Sequence, residues 1–408
     1  MSTLKATNIK NVSSGTNNIV LGENGGVVIS GLATVSNVNV TGGSITGVST
    51  VSSTAFSVNG NAYPATGPLS NRNLIINGEM RVAQRGTSEA SVTSTGYYTC
   101  DRWYNSNTGL GTWTLSQSTT APSGFANSFK WDCTTADASP AAGDLIIHQQ
   151  RIESQNLQHL NKGTSDALPV TLSFWVRSNK TGTYTLEIYD DANTRSIGKT
   201  YTIDSADTWE YKTITIEGDT TGTLDDDNTR GFDVLWWLGA GSNYTSGTFN
   251  TSWAAVTTGN RVSSSQVNLG DSTDNEWYIT GVQLEVGSVA TPFEHRSYGD
   301  ELAKCQRYFQ QLASGELVGG KNTSTRMRIT AKLITEMRIA PTVTRTSNTV
   351  GFQGVGLTLS STNTTAAQAA TSGVRFMGFD LDGFPTLADR GYNGVDSVAI
   401  VFNCDSEL

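Results

Sequence analysis

Charge is what this chain has least of. Asp, Glu, Lys and Arg make up 15% of its 408 residues, well below the quarter or so that is usual. What charge there is sums to −9, and no basic cluster occurs anywhere. Nothing in the sequence is arranged to neutralise phosphates, so nucleic acid is excluded as an expected partner. No apolar run approaches 18 residues, and the opening "MSTLKATNIKNVSSG" has neither the apolar core nor the small-residue cleavage site of a secretory signal. Membrane insertion and standard export are therefore not expected.

Histidine and cysteine are equally sparse. His148, His159 and His295 stand in no HExxH or HxE arrangement, and Cys100, Cys133, Cys305 and Cys404 form no CxxC pair. No metal site and no dense disulfide framework is indicated, and the cysteines read as reduced and mostly buried. There is no GxSxG elbow, Walker loop or GxGxxG run either. Carboxylates do cluster, in "YDDANTR" and "LDDDNTR", read as solvated turn residues with loop calcium binding as the lesser alternative. The sequence thus offers no catalytic residue, no metal ligand and no cofactor, and a non-enzyme is expected.

Gly, Ser, Thr and Asn are abundant instead, a composition that favours strands and turns over long helices. The expected class is all-β, in four parts. Residues 1–70 hold three charges and two aromatics within short β-branched runs such as "GGVVISG" and "GGSITGVSTV", too thin to bury a core within one chain. Disorder would favour more charge and fewer β-branched residues. The preferred expectation is a shaft in which strands of several identical chains intertwine.

From 71 to 296 strand candidates follow at sandwich-like spacing, among them "GTWTLSQS", "FKWDC", "VTLSFWVRS", "GTYTLEIYD", "TWEYKTITIEG", "FDVLWWLG" and "WYITGVQLEV". In the third, Leu172, Phe174 and Val176 alternate with Trp175 and Arg177, the period of a half-buried strand. A jelly-roll sandwich is expected, interrupted by one helical or loop insertion, "IIHQQRIESQNLQHLNKG". At 297–312 the period changes. Leu302, Cys305, Phe309 and Leu312 recur at helical-seam spacing behind a Ser297–Asp300 capping box, which suits identical helices of several chains meeting on a shared axis, the alternative being packing against the chain's own sandwich. Residues 313–408 then supply a smaller β domain.

Aromatics are the informative class for binding. Trp236 and Trp237 are adjacent on one predicted strand and must face opposite sides, so one of them is expected to leave the core as a platform for a sugar ring. Asn243 and Tyr244 in "GAGSNYTSG" would then meet its hydroxyls. The competing reading packs one tryptophan inward and the other against a neighbouring subunit.

Finally, "NRNLIINGEMRVAQRG", "DRWY", "CTTADASPAAGD", "DTWEYKTITIEGDTTG" and "NEWYITGVQLEVGSVATPFEHRSYGDELAKCQRYF" resemble the central module of tail fibre and related structural proteins of tailed phages, especially marine and cyanobacterial ones. The resemblance spans Asn71 to Phe309. The opening segment is similar to the attachment and shaft segments of such fibres, and "MRIAPTV" and "CDSEL" to their ends. It implies a homotrimeric virion fibre with a carbohydrate-binding-like jelly roll. Its N-terminal segment would join other tail or head proteins, and its partner would be host surface polysaccharide. A purely structural head fibre, adaptor or decoration protein is the alternative, and a polysaccharide depolymerase the third reading. The resemblance supplies no catalytic list. Such jelly rolls often hold a structural calcium, and Glu79 and Glu285 stand at comparable places, without an ion being assigned.

Overall fold

A computed structural model describes residues 70–313 without a break, together with the strands at 8–9, 19–21, 27–29, 56–58 and 61–63 and parts of 318–408. The chain divides into two compact units, Met1–Ser53 and Thr54–Leu408. In the first, β1 (Asn8–Ile9), β2 (Ile19–Leu21) and β3 (Val27–Ile29) form a three-stranded antiparallel sheet. The expected intertwined shaft otherwise lies outside the described residues. The second unit opens with a hairpin of β4 (Phe56–Val58) and β5 (Asn61–Tyr63).

Two antiparallel sheets then stack face to face. One holds β6 (Ser88–Val92), β9 (Thr112–Ser118), β10 (Ser128–Thr135), β12 (Val170–Ser178), β15 (Glu210–Ile216) and β18 (Glu276–Val286), in the spatial order β15-β12-β18-β10-β9-β6. The other holds β7 (Gly96–Tyr97), β8 (Tyr104–Thr108), β11 (Leu145–Glu153), β13 (Gly182–Asp190), β14 (Arg195–Ile203), β16 (Arg230–Ala240) and β17 (Ala254–Ala255), in the order β17-β14-β13-β16-β11-β8-β7. This is the expected jelly-roll-like sandwich. Inward alternation brings Trp103, Trp113, Trp131, Trp236, Trp277, Phe129 and Phe174 into one core between the sheets, each fully buried. All seven quoted strand candidates form strands.

The insertion is a correction. Its first half is strand β11, and only Ser154–Leu160 forms a 3₁₀ helix. β11 lies in the middle of its sheet with both faces covered, so seven of its nine residues are buried. Burial on both faces erases the alternation that marks a strand.

His148 on β11 sits in that core against Trp103, Phe129, Trp236 and Trp277. Its Nδ1–H donates to Asn105 Oδ1 at 2.9 Å, and burial holds its pKa well below the usual histidine range. Below about pH 6.5 the unfolded chain takes up a proton on His148 that the folded chain refuses. Stability should therefore fall with pH from that point, by up to about 1.4 kcal/mol per pH unit. Asp101 opposes this over a lower window, because burial raises its carboxyl to about 6, so the folded chain protonates it more readily. Denaturation of the wild type between pH 7 and 5 should show the loss, reduced below pH 6 by Asp101, and His148→Phe should remove it, leaving only the opposite slope of Asp101. An equal slope in the variant would place the titration elsewhere.

Beyond the sandwich, α1 (Ser242–Thr245) is a single turn and α2 (Tyr298–Gln306) the one longer helix among the described residues. The predicted cap forms, with Asp300 N–H donating to Ser297 Oγ at 3.2 Å. The predicted length does not. Phe309 and Leu312 belong to β19 (Phe309–Ala313), which pairs with β28 (Val401–Asp405), itself paired with β22 (Thr342–Arg345). Strand pairing across some ninety residues of sequence thus ends the helix where no Gly or Pro does. The remaining strands form a seven-stranded sheet that includes β20 (Val318–Lys321), β21 (Met327–Lys332) and β26 (Phe376–Leu381).

The β19-β28-β22 sheet is fastened to the sandwich by buried charge. Arg102 pairs with Glu407 and stacks 3.4 Å over the Tyr308 ring. Glu153, fully buried, accepts from Arg307 at 2.8 Å and from Tyr308. Burial alone would raise the Glu153 carboxyl, but these hydrogen bonds hold it below the usual carboxylate range. All four cysteines are buried and none is in a disulfide.

Candidate functional site

The outward face of the six-stranded sheet carries a walled cleft of about 440 Å³. Its platform is Trp175 on β12 and Tyr211 on β15, directly opposite in register. Their ring centroids are 5.2 Å apart and the planes are inclined at 45°. Tyr211 is 45% exposed and Trp175 half-buried. Both point away from the core by strand alternation, Trp175 because its neighbours Phe174 and Val176 point into it and Tyr211 because Ile216, on the opposite parity of β15, does. Beside them Ser173, two residues before Trp175 on β12, brings a hydroxyl to the floor. Burial raises the Tyr211 hydroxyl above its ordinary range, a hydrogen bond with Ser173 counters it, and the charge of Glu285 adds to it.

One wall is Ser123, Gly124 and Phe125; the other is Ala290 to Phe293 with His295. Phe125, Phe293 and His295 form an aromatic cluster with centroids 4.9 to 5.4 Å apart. A bulge on β18 between Thr280 and Gln283, opposite Trp175 and Ser173 of β12, shapes the floor. Gly281 occupies it at φ +61°, where a Cβ would lie 2.7 Å from Phe125 Cζ and 3.1 Å from Trp175 Cδ1. Only glycine leaves both rings where they are.

The "QLE" of β18 holds the second wall. Gln283 and Glu285 are buried although they point out of the sandwich, because residues 287–296 fold back over them. Glu285 accepts from Thr291 N at 2.8 Å and Thr291 Oγ1 at 2.7 Å, and Gln283 Oε1 accepts from Glu294 N at 2.8 Å. Arg72 donates to Thr291 Oγ1 at 2.8 Å and lies 3.6 Å from Glu285. The wall bearing Phe293 and His295 is therefore pinned by buried charge-assisted bonds.

The predicted sugar platform is not a platform. Trp236 and Trp237 do face opposite sides, but both are fully buried. Trp236 lies in the main core, its centroid 5.8 Å from Trp103 and 5.6 Å from Phe174. Trp237 is covered by the chain's own residues 241–267: it packs with Ile147, Leu235, Val262 and Tyr244, and its Nε1–H donates to Glu187 at 3.0 Å. Arg261 completes the cover, paired with Glu187 at 2.9 Å. Asn243 is exposed and Tyr244 half-buried over Trp237, so the four residues meet but offer no open aromatic face.

Nor do Leu302, Cys305, Phe309 and Leu312 make one helical seam. Leu302 and Cys305 are on α2, Phe309 and Leu312 on β19, and the last three are buried within a single chain. Phe309 is covered by the Arg85 guanidinium, 3.6 Å over its ring. Glu79 and Glu285 do not fit a shared calcium, since Glu79 is met by Arg81 and His295, and Glu285 by Thr291 and Arg72. Among the described residues no group of His, Cys, Asp and Glu is placed to hold a metal, and no helix is long and apolar enough to cross a membrane.

No protein family and no curated protein matches the chain. Similar solved structures include the enzymatically active domain of bacteriophage CBA120 tailspike protein 4, at 14% identity and TM-score 0.27, covering 52% of this chain and 21% of that one. TmCBM61 in complex with β-1,4-galactotriose is 10% identical, with TM-score 0.28, covering 53% of this chain and 99% of that one. The family 11 carbohydrate-binding module of Clostridium thermocellum, in complex with a mixed-linked tetrasaccharide, is 11% identical, with TM-score 0.24, covering 51% and 98%. This chain spans about a fifth of the tailspike domain's length.

Proposed function

We propose that this protein is a non-enzymatic, glycan-binding virion fibre that attaches to a host cell surface. The observation that carries the reading is the pair Trp175 and Tyr211, two accessible rings on the outward face of a rigid sheet, walled by a second aromatic cluster. Aromatic faces stack on the C–H face of a sugar ring, and the floor hydroxyls suit its OH groups. No carboxylate lines the cleft, so nothing there serves as the acid and base of a glycosidase, and the ligand is held rather than cut.

The fibre role is supported by the sequence resemblance from Asn71 to Phe309, and a homotrimer joined to other virion proteins through its N-terminal segment belongs to the same reading. Three weak sites acting together would give the avidity that attachment needs. In a glycan array with the full chain, Trp175→Ala and Tyr211→Ala should each lower binding about tenfold. Melting should stay unchanged, because both rings lie outside the core. Undiminished binding by both variants would move the receptor site off this face, and no glycan binding by the wild type would favour a purely structural adaptor.

A further inference from the structure

Resting on that reading, we infer that the cleft takes an uncharged glycan whose successive rings are turned relative to one another, and discriminates against uronic-acid, sialylated or sulfated chains. The first ground is the lining, which contains no Asp, Glu, Lys or Arg. The second is that the charges bordering it are already spent on each other. Arg72 is bound to Thr291, Pro292 and Glu285, Glu294 accepts from the backbone of Asn73 and from Arg296, and Arg177 pairs with Asp207 at 2.8 Å.

An anionic sugar entering the cleft would lose hydration and find no lysine or arginine in the lining to replace it, while the wall imidazole of His295 already faces Glu79 at 3.0 Å. It would also approach a chain whose net charge is −9, which slows encounter at low salt. A neutral sugar meets neither penalty. Its apolar face is matched by the Trp175 and Tyr211 rings, and its hydroxyls by Ser173 and Tyr211.

The third ground is shape. The two platform rings are inclined at 45°, and the walls at Phe125 and Phe293 stand beside them. A flat, stacked polysaccharide surface cannot touch both rings at once and is kept off by the walls. A single soluble chain with a turn between consecutive residues reaches both.

The test is titration calorimetry of the full chain with neutral β-linked gluco- and galacto-oligosaccharides and with their uronate counterparts, at low and moderate salt, backed by an array carrying neutral, sialylated and sulfated glycans. Neutral ligands should bind with little salt dependence, at least tenfold tighter than their anionic analogues, and should lose that binding in Trp175→Ala. Anionic glycans that bind as tightly, with strong salt dependence and the same sensitivity to Trp175→Ala, would overturn the inference while leaving the cleft as the glycan site. If binding of no glycan responds to Trp175→Ala or Tyr211→Ala, the reading of the cleft itself falls, and the inference with it.

Discussion

Replacing Glu407 with alanine should cost the folded chain about 3–5 kcal/mol, the penalty of leaving a buried charge without its partner. The charge is Arg102, whose side chain is 1% exposed while that of Glu407 is 5% exposed. Arg102 is committed on every side. It pairs with Glu407, donates to the Arg151 carbonyl at 2.6 Å, and lies over the Tyr308 ring, from a backbone at φ +73°. It cannot turn to solvent, and a guanidinium does not neutralise itself by losing a proton. The neighbouring Arg85 would keep Asp405 at 3.1 Å but lose its contact with Glu407 at 3.4 Å. Glu407→Gln, which keeps an acceptor without the charge, should fall between wild type and alanine. Urea denaturation checks this directly. A change below about 0.5 kcal/mol in the alanine variant would mean that the last strand is not seated on the sandwich in solution.

That seam illustrates what the sequence cannot show. Arg102 and Glu407 are joined across 305 residues, and no local pattern links "DRWY" to "CDSEL". The strands themselves were legible, because period-two alternation is written into each one: Leu172, Phe174 and Val176 inward, Trp175 and Arg177 outward. That same pattern already placed Trp175 on the outer face, and Tyr211 in "TWEYKTITIEG" carries a similar signal. The missing knowledge was that β12 and β15 are neighbours with these two residues in register. β11 was illegible for the opposite reason, since a strand covered on both faces has no polar side to alternate. The α2 boundary was misplaced because Phe309 and Leu312 satisfy helical spacing as readily as a strand that pairs with residues near the end of the chain, and tertiary pairing decided between them. The buried "QLE" polar groups gain their sense only once residues 287–296 fold back over β18.

The tryptophan pair separates the two kinds of information most sharply. Alternation correctly puts Trp236 and Trp237 on opposite faces of β16, yet it says nothing about residues 241–267 arriving to cover the outer one. Both should therefore behave as core. Trp236→Ala removes a ring that packs against Trp103 and Phe174 in the main core, and the expected loss is about 3–5 kcal/mol. Trp237→Ala should cost a similar amount. It empties the space between the sheet and its cover, and it takes a donor from Glu187, a fully buried carboxylate that would be left with Arg261. In neither variant should glycan binding fall in protein that remains folded, whereas Trp175→Ala should show the reverse, with binding lost and melting kept. Thermal melts and glycan titrations on the three variants decide the matter. If Trp237→Ala melted like the wild type and lost binding, residues 241–267 would have to open in solution, and the adjacent tryptophan would be a platform after all.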